Sequence, residues 1–317
     1  MKLIIDVDTG ADDAMAILFA VAQCHSGTEI LAITCVNGNI DLNNVSRNTL
    51  RTLQYADALH IPVFEGAFKP LLSQGNTEDA KNYFGNDGMG NAEWTDPVDT
   101  GMVQKENAIQ TMIRLTKGNP GEITLVTLAP LTNVALALQL DETFSSNLKE
   151  VLIMGGNMEG KGNVSFSAEF NFHVDPEAAA IVLQDLKCPV TMVTWEACLN
   201  ASISWSIMDE LIVSSSSKNM EFFKKVSSNE FKHRDKWAKL GLDDFRSCDW
   251  IAMMVLFDSS VCLEYKEVYA SVETQGRLTR GSVVIDWLNL QSEKPNVRLA
   301  MKLNKEKIFQ IMKEFLS

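Results

Sequence analysis

The sequence predicts an α/β protein: a mainly parallel central sheet flanked by helices, an open α/β sandwich. Three observations carry that prediction. Short apolar runs alternate with longer segments of helical spacing, a rhythm that implies parallel strands joined by right-handed crossovers. Turn residues close the strand runs, as at Gly10, Asn37-Gly38-Asn39 and Gly155-Gly156. The composition, 46% hydrophobic and 22% charged over 317 residues, supplies material for a large core. A single domain over 1–317 is the expectation.

Taken in order, Leu3-Ile4-Ile5 reads as a buried strand running into a tight turn, with 14–21 as the following helix. Residues 30–36 form a second strand, and 42–58 a helix with Val45, Leu50 and Leu53 at helical spacing. A short third strand covers 61–64. The rhythm then breaks over 65–103, where Lys69-Pro70, Gln74-Gly75-Asn76, the 84–90 stretch and Asp96-Pro97 are turn chemistry. A loop that long in a compact fold is usually functional or disordered, and Tyr83, Phe84 and Trp94 make it a candidate binding-site wall. Order returns with a helix over 104–116, a strand over 123–127 and a helix over 132–140 that starts just after Pro130. Strands follow at 151–154 and 189–194. Between them a loop runs to about residue 174, then a helix capped by Asp175 with Pro176 in its first turn. Residues 229–247 are charged and carry three aromatics, Phe231, Trp237 and Phe245, reading as a mobile surface segment or an active-site lid. The chain closes with an apolar helix at 249–257, strands at 268–274, 283–286 and 297–303, and a helix at 305–316.

The chemistry concentrates in Ile4-Ile5-Asp6-Val7-Asp8-Thr9-Gly10-Ala11-Asp12-Asp13. Four carboxylates follow an apolar strand within eight residues. In open α/β sheets ligands bind at the carboxyl ends of strands, where these acids project. So many negative charges repel one another unless a cation or hydrogen-bond donors compensate. A hard divalent cation held by Asp8 and Asp13 is the reading that follows. An EF-hand is excluded, because it needs a Glu at the twelfth position where Ile17 stands, and a helix in front. A dehalogenase-type phosphatase, with Asp6-Val7-Asp8-Thr9 as its nucleophile motif, remains a lesser alternative. It leaves Asp12-Asp13 unexplained, and no strand precedes the later acids Asp243, Asp244 and Asp249.

A net charge of −13 argues against nucleic acid and against an anionic membrane as partners, since both demand basic patches. Cys24, Cys35, Cys188, Cys198, Cys248 and Cys262 show neither a Cys-x-x-Cys pair nor zinc spacing. With no signal-peptide pattern and no spanning segment, a reducing cytoplasm is expected.

Five stretches together resemble the calcium-dependent nucleoside hydrolases, the inosine–uridine-preferring N-ribohydrolase family. They are Asp6–Asp13, Gly38-Asn39, Leu128-Ala129-Pro130-Leu131-Thr132-Asn133, the run from Met154-Gly155-Gly156 through Asn163 to Ala168-Glu169-Phe170-Asn171 and Asp175, and Thr279-Arg280-Gly281. The resemblance runs from Leu3 to at least Asp286. It implies a nucleoside hydrolase-like fold that splits ribonucleosides into ribose and free base. It implies calcium held by Asp8, Asp13, Asp249 and the carbonyl of Leu128, with Asp8 also taking a proton from the metal's water. Asp12, Asn39, Asn163, Glu169 and Asn171 match the ribose-contacting set. Asp249 meets substrate as well as metal, and Asp6 supports the cluster from behind. A homodimer or homotetramer is implied by the resemblance alone.

That chemistry suits the residue types. Cleaving an N-glycosidic bond builds an oxocarbenium-like ribose, and calcium prefers many oxygen ligands. Glu169 and Asn171, two apart on what reads as extended backbone, are expected to point to one side.

Two positions depart from the family pattern. Cys248 stands where many members carry His before the last metal-binding Asp, and Phe84 where some place a base-contacting His. A neutral thiol is a poorer general acid than imidazole. His173 and His233 are candidates to assist, whereas His25 and His60 read as structural. Stacking of the base on Phe84, Trp94, Trp195, Trp237 or Trp250 is an alternative route to activating it. The rival reading is a metal- and ribose- or nucleoside-binding protein of weak catalytic power.

Overall fold

The computed structural model describes residues 1–72 and 83–317, so Gln74-Gly75-Asn76 lies outside the described residues. Among the described residues there are twelve strands: β1 (Lys2–Val7), β2 (Glu29–Cys35), β3 (Val63–Glu65), β4 (Ile123–Thr127), β5 (Leu148–Met154), β6 (Val190–Val193), β7 (Ile203–Ser204), β8 (Asp244–Phe245), β9 (Cys262–Val268), β10 (Ala270–Val272), β11 (Val283–Ile285) and β12 (Val297–Leu303). Eight of them form one sheet in the order β3-β2-β1-β4-β5-β6-β12-β9. Every pairing in it is parallel except β12 with β9. The expected sheet is therefore borne out. β4 reads ITLVT and is buried throughout, as a strand covered on both faces should be.

The strand order explains where the acids fall. The chain passes from β1 to β2 and β3 on one side, then returns to β4, β5 and β6 on the other. This reversal leaves a crevice at the carboxyl ends of β1 and β4, the switch point where open α/β sheets bind ligands. Asp6, near the end of β1, is in register with Thr34 of β2 and Thr127 of β4. Helix α1 (Ala11–Ala22) starts directly above, with Asp12 and Asp13 in its first turn, where the helix dipole favours negative charge. Its Phe19 meets Trp250 and Phe315 at ring-centroid distances of 6.4 and 5.3 Å. Trp250 is fully buried in helix Cys248–Phe257, so this contact sets Asp249 against the start of α1. One apolar cluster reaches from Leu3 to Leu316.

Three expectations need correction. The strand placed at 268–274 is divided between the end of β9 and β10, and most of β9 was missed. β9 is an edge strand whose Leu263, Glu264, Lys266 and Glu267 face solvent, so it carries no apolar run. Residues 229–247 are neither a loop nor a bare polar segment: helix Ser228–Ala238 is followed by turns and β8. Residues 170–174, expected as loop, form the short helix Phe170–Val174. Among the described residues no helix is long and apolar enough to cross a membrane.

Asn133, in helix Thr132–Leu140, ties the middle of the sheet together. Its Nδ2 donates to Asp6 Oδ1 at 2.8 Å and to the Cys35 carbonyl at 3.1 Å, and its Oδ1 accepts from Ala67 N at 2.8 Å. A Cβ on Gly66 would stand 2.1 Å from that Oδ1, so only glycine allows the approach. Asn133→Ala would leave a buried carboxylate, a carbonyl and an amide short of partners. We expect it to lower unfolding free energy by about 2–3 kcal/mol, read from urea denaturation.

Candidate active site

The acids of the opening stretch lie at the bottom of a cavity of about 400 Å³. Asp6, Asp8 and Asp13 are fully or almost fully buried, and Asp249 is 4% exposed. Asp12, Asp13 and Asp249 each bring a carboxylate oxygen within 4.8 Å of the others. Asp8 accepts from Asn39 N at 2.7 Å through Oδ2, and Asp13 accepts from Gly10 N at 2.9 Å and Asn39 Nδ2 at 3.3 Å through its own Oδ2. A Cβ on Gly38 would lie 2.0 Å from Asp8 Oδ2, so the β2 turn has to pass there without a side chain.

Each of these carboxylates keeps one buried oxygen with no donor: Oδ1 of Asp8, Asp12 and Asp13, and Oδ2 of Asp6. Burial, then the mutual repulsion of the acids, raises Asp8, Asp13 and Asp249 well above the ordinary carboxylate range. Asp12 is pushed up to about 6, chiefly by burial. Asp6 rises to about 7 for the same reason, against the pull of its bonds from Asn133 and Thr34. Bare carboxylate oxygens of one sign, converging out of water, are the donor set a hard cation needs. The residues fit such an ion.

Leu128 supplies a backbone position on the wall. Its carbonyl accepts from Asn171 Nδ2 at 3.0 Å, and the same Nδ2 meets the Met154 carbonyl at 3.1 Å. Glu169 caps helix Phe170–Val174, so it and Asn171 are not on extended backbone. Both still face the cavity, because the cap turns Glu169 inward. Its carboxylate accepts from Asn171 N at 3.0 Å and from Gly156 N at 2.8 Å. Burial nevertheless raises it to about 7. Of Thr279-Arg280-Gly281, Gly281 abuts the Phe172 carbonyl of this helix, while Arg280 pairs with Glu177 of the following helix, Pro176–Asp185. Of the sequence-derived set, Asp12, Asn39, Leu128, Asn163, Glu169, Asn171 and Asp249 line the cavity, while Asp8 and Asp13 lie beneath its floor.

Aromatic rings line the same cavity, and Phe84 reaches the acid-bearing turn, its ring 3.2 Å from where a Cβ on Gly10 would stand. The rings are those of Tyr83, Phe84, Trp195 and Trp237, with the Tyr83 ring 4.9 Å from Phe84 and 4.8 Å from Trp237. Two of the proposed platforms are elsewhere. Trp250 is core, and Trp94 packs on Phe222 beneath Arg51 and Lys225. Neither His173 nor His233 is on the wall, and His233 Nδ1 is bonded to the Asn229 carbonyl. Cys248 does line it; its thiol partner Cys198 and burial push the thiol well up, so it stays protonated.

Sequence reasoning missed Arg246. It is 6% exposed, donates to the Asp244 carbonyl at 2.5 Å, lies 5.6 Å from the Trp195 ring centroid and lines the cavity. Buried Glu230 is held protonated by burial and by Asp12, against the pull of Arg246. The only trace in the sequence is that both fall in the charged 229–247 stretch.

A parallel-sheet enzyme whose cavity brings together an oxygen-rich metal cradle and aromatic rings is the class that fold and site define. The family follows from comparison: residues 3–310 match the model of the inosine-uridine preferring nucleoside hydrolases, and the chain belongs to that family. It is a hydrolase of N-glycosyl bonds, and nucleoside hydrolases of this family are metal-dependent. This removes the phosphatase alternative. The pyrimidine-specific ribonucleoside hydrolase RihA of Salmonella arizonae is 32% identical over 100% of this chain and 98% of its own length. Among solved structures, an inosine-guanosine nucleoside hydrolase superposes with a TM-score of 0.89 at 33% identity, covering 99% of this chain and 98% of that one. The plant nucleoside hydrolase PpNRh1 gives 0.88 at 29% identity with the same coverage.

Glu169 generates a test by pH. Its carboxyl sits near 4.5 when unfolded and at about 7 when folded. The folded state therefore holds the extra proton, and the stability this contributes, complete below 4.5, is lost as pH rises to 7. Unfolding of the metal-free protein followed across this window should show a falling contribution that Glu169→Gln removes, the variant having the flatter profile.

Proposed function

We propose that the protein hydrolyses ribonucleosides to ribose and free base using calcium bound by Asp8, Asp13, Asp249 and the Leu128 carbonyl. The observation that carries this reading is the convergence of bare, buried carboxylate oxygens beside a cavity that aromatic rings also line. An all-oxygen donor set favours calcium, and when bound the ion would lower the pKa of a water and bind vicinal ribose hydroxyls. Asp8, with Oδ2 engaged by Asn39 and Oδ1 bare, is suited to take that water's proton. Asp12, Asn39, Asn163, Glu169 and Asn171, with Asp249, would orient the sugar. Asn171 spends its amide nitrogen on two carbonyls, leaving its oxygen for substrate. Asp6 keeps the cluster in place from within the sheet.

On the other side, the C–N bond breaks with its electron pair on the base. Four aromatic side chains offer the base a stacking slot, and Arg246 would donate hydrogen bonds to it as it leaves with negative charge. This gives the leaving base a stabiliser although Cys248 occupies the position where many members have histidine. A working homodimer or homotetramer in a reducing cytoplasm completes the reading. All six cysteines are free thiols, which agrees with that compartment.

The deciding experiment is release of reducing sugar from inosine, guanosine, adenosine, uridine and cytidine, with metal content measured on the same sample. The printed names of relatives divide between pyrimidine and purine substrates, so the panel spans both. We expect turnover of at least one nucleoside, its loss on chelation or in Asp13→Asn, and its return with calcium for the chelated enzyme alone. No turnover of any nucleoside with metal bound would sink the hydrolase reading in favour of a binding protein. For Arg246, Arg246→Gln should cut kcat on nucleosides by about a hundredfold and leave 4-nitrophenyl riboside, whose leaving group needs no help, nearly untouched. Equal losses on both substrates would refute the assignment.

A further inference from the structure

We infer that Glu196 is a positioning residue for substrate: its carboxylate grips the backbone of the 157–163 loop and thereby holds Asn163 at the cavity wall. The inference rests on the nucleoside reading above and extends it to a residue outside the motifs that define the site.

Glu196 is 1% exposed in the first turn of helix Trp195–Asn200, which follows β6. Its Oε2 accepts from Met158 N at 2.8 Å, and its Oε1 accepts from Glu159 N at 2.9 Å and Lys161 N at 3.1 Å. Three backbone amides on one buried carboxylate make a strong charge-assisted set. The loop has little else to fix it. It has no regular structure, Glu159, Gly160, Lys161 and Asn163 are exposed, and Met158 is its one apolar anchor. Asn157 secures the near end by donating to the Lys161 and Ser167 carbonyls, and Asn163 N donates to the Ala168 carbonyl. Between those ends the Glu196 carboxylate is the support.

The same helix turn also reaches the base. Trp195 N donates to the Gly156 carbonyl at 3.0 Å, and its side chain lines the cavity. One turn of helix thus joins the sugar-side loop to the aromatic lining. The loop adds Asn163 to the cavity lining, with Val164 next to it in the chain, so releasing it should disturb substrate more than the core. Both carboxylate oxygens are needed, because the amides approach on two sides. Gln keeps one acceptor and turns an NH₂ on the other donors, whereas Asp keeps two acceptors at shorter reach.

The test is steady-state kinetics on the metal-loaded enzyme with its best nucleoside. We expect Glu196→Gln to raise KM about tenfold with kcat within about threefold, and Glu196→Asp to recover part of the loss. Asn163→Ala should raise KM as well, and the double variant Glu196→Gln/Asn163→Ala should be no worse than the poorer single one. An unchanged KM in Glu196→Gln, or full additivity in the double variant, overturns the inference. Should Glu196→Gln not fold, amide exchange in the wild-type protein decides: slow exchange at Met158, Glu159 and Lys161 supports the grip, and exchange as fast as in open loops refutes it. A wild-type enzyme inert on every nucleoside would overturn the nucleoside reading, while the exchange data would still report on the grip.

Discussion

Everything around the cavity answers one constraint, the packing of several aspartates out of water at the carboxyl end of β1. Two unit charges about 4 Å apart repel by on the order of 4 kcal/mol even at an effective dielectric of 20. The fold spreads this load. Amides of Asn39 and Gly10, the start of α1 and the Asn133 side chain all direct positive dipole at the acids. Gly38 and Gly66 let backbone and amide approach where a methyl group would collide. The oxygens still left bare are then free for a cation, and a cation is the partner that relieves them best.

The constraint also accounts for the rigidity behind the site. Asp249 comes from a helix far along the chain, and its carboxylate must meet those of α1 closely. Aromatic packing of Phe19, Trp250 and Phe315 fixes that helix pair. The cap at Glu169 and the close approach of Gly281 to the Phe172 carbonyl fix the helix carrying Asn171. The site is thus built on the ends of regular elements and the turns that follow them. The 157–163 loop is held by Asn157, by the Asn163 to Ala168 bond and by the buried Glu196 carboxylate.

Two kinds of lining divide the chemistry. The oxygen atoms suit a metal, a water and a sugar. The rings, with the Arg246 guanidinium among them, suit a flat, polarisable base. Placing a cationic group among the rings allows negative charge to build on the base without an imidazole nearby.

How much of this was legible depended on how local each signal is. Asp6 to Asp13 could be read as a ligand-bearing turn because strand, glycine and acids are contiguous. The parallel sheet was legible because apolar strands and helical spacing alternate along the chain. Asn171 and Glu169 were identified as cavity residues by motif, yet their backbone was misjudged, since a five-residue helix has too few turns to show a period. β9 escaped because an edge strand facing water carries no apolar pattern. Arg246 and Glu230 left no pattern at all: in sequence they are two charges among many, and burial alone makes them unusual. By itself, then, the sequence determined the fold class and the oxygen-ligand character of the site, since periodicity and residue chemistry are local properties. Only the tertiary structure decided that Asp12 joins Asp13 and Asp249 in the closest cluster, that Trp195, Trp237 and Arg246 line one cavity, and that Glu196 holds the 157–163 loop. Those are distances between segments remote in the chain, and packing sets them.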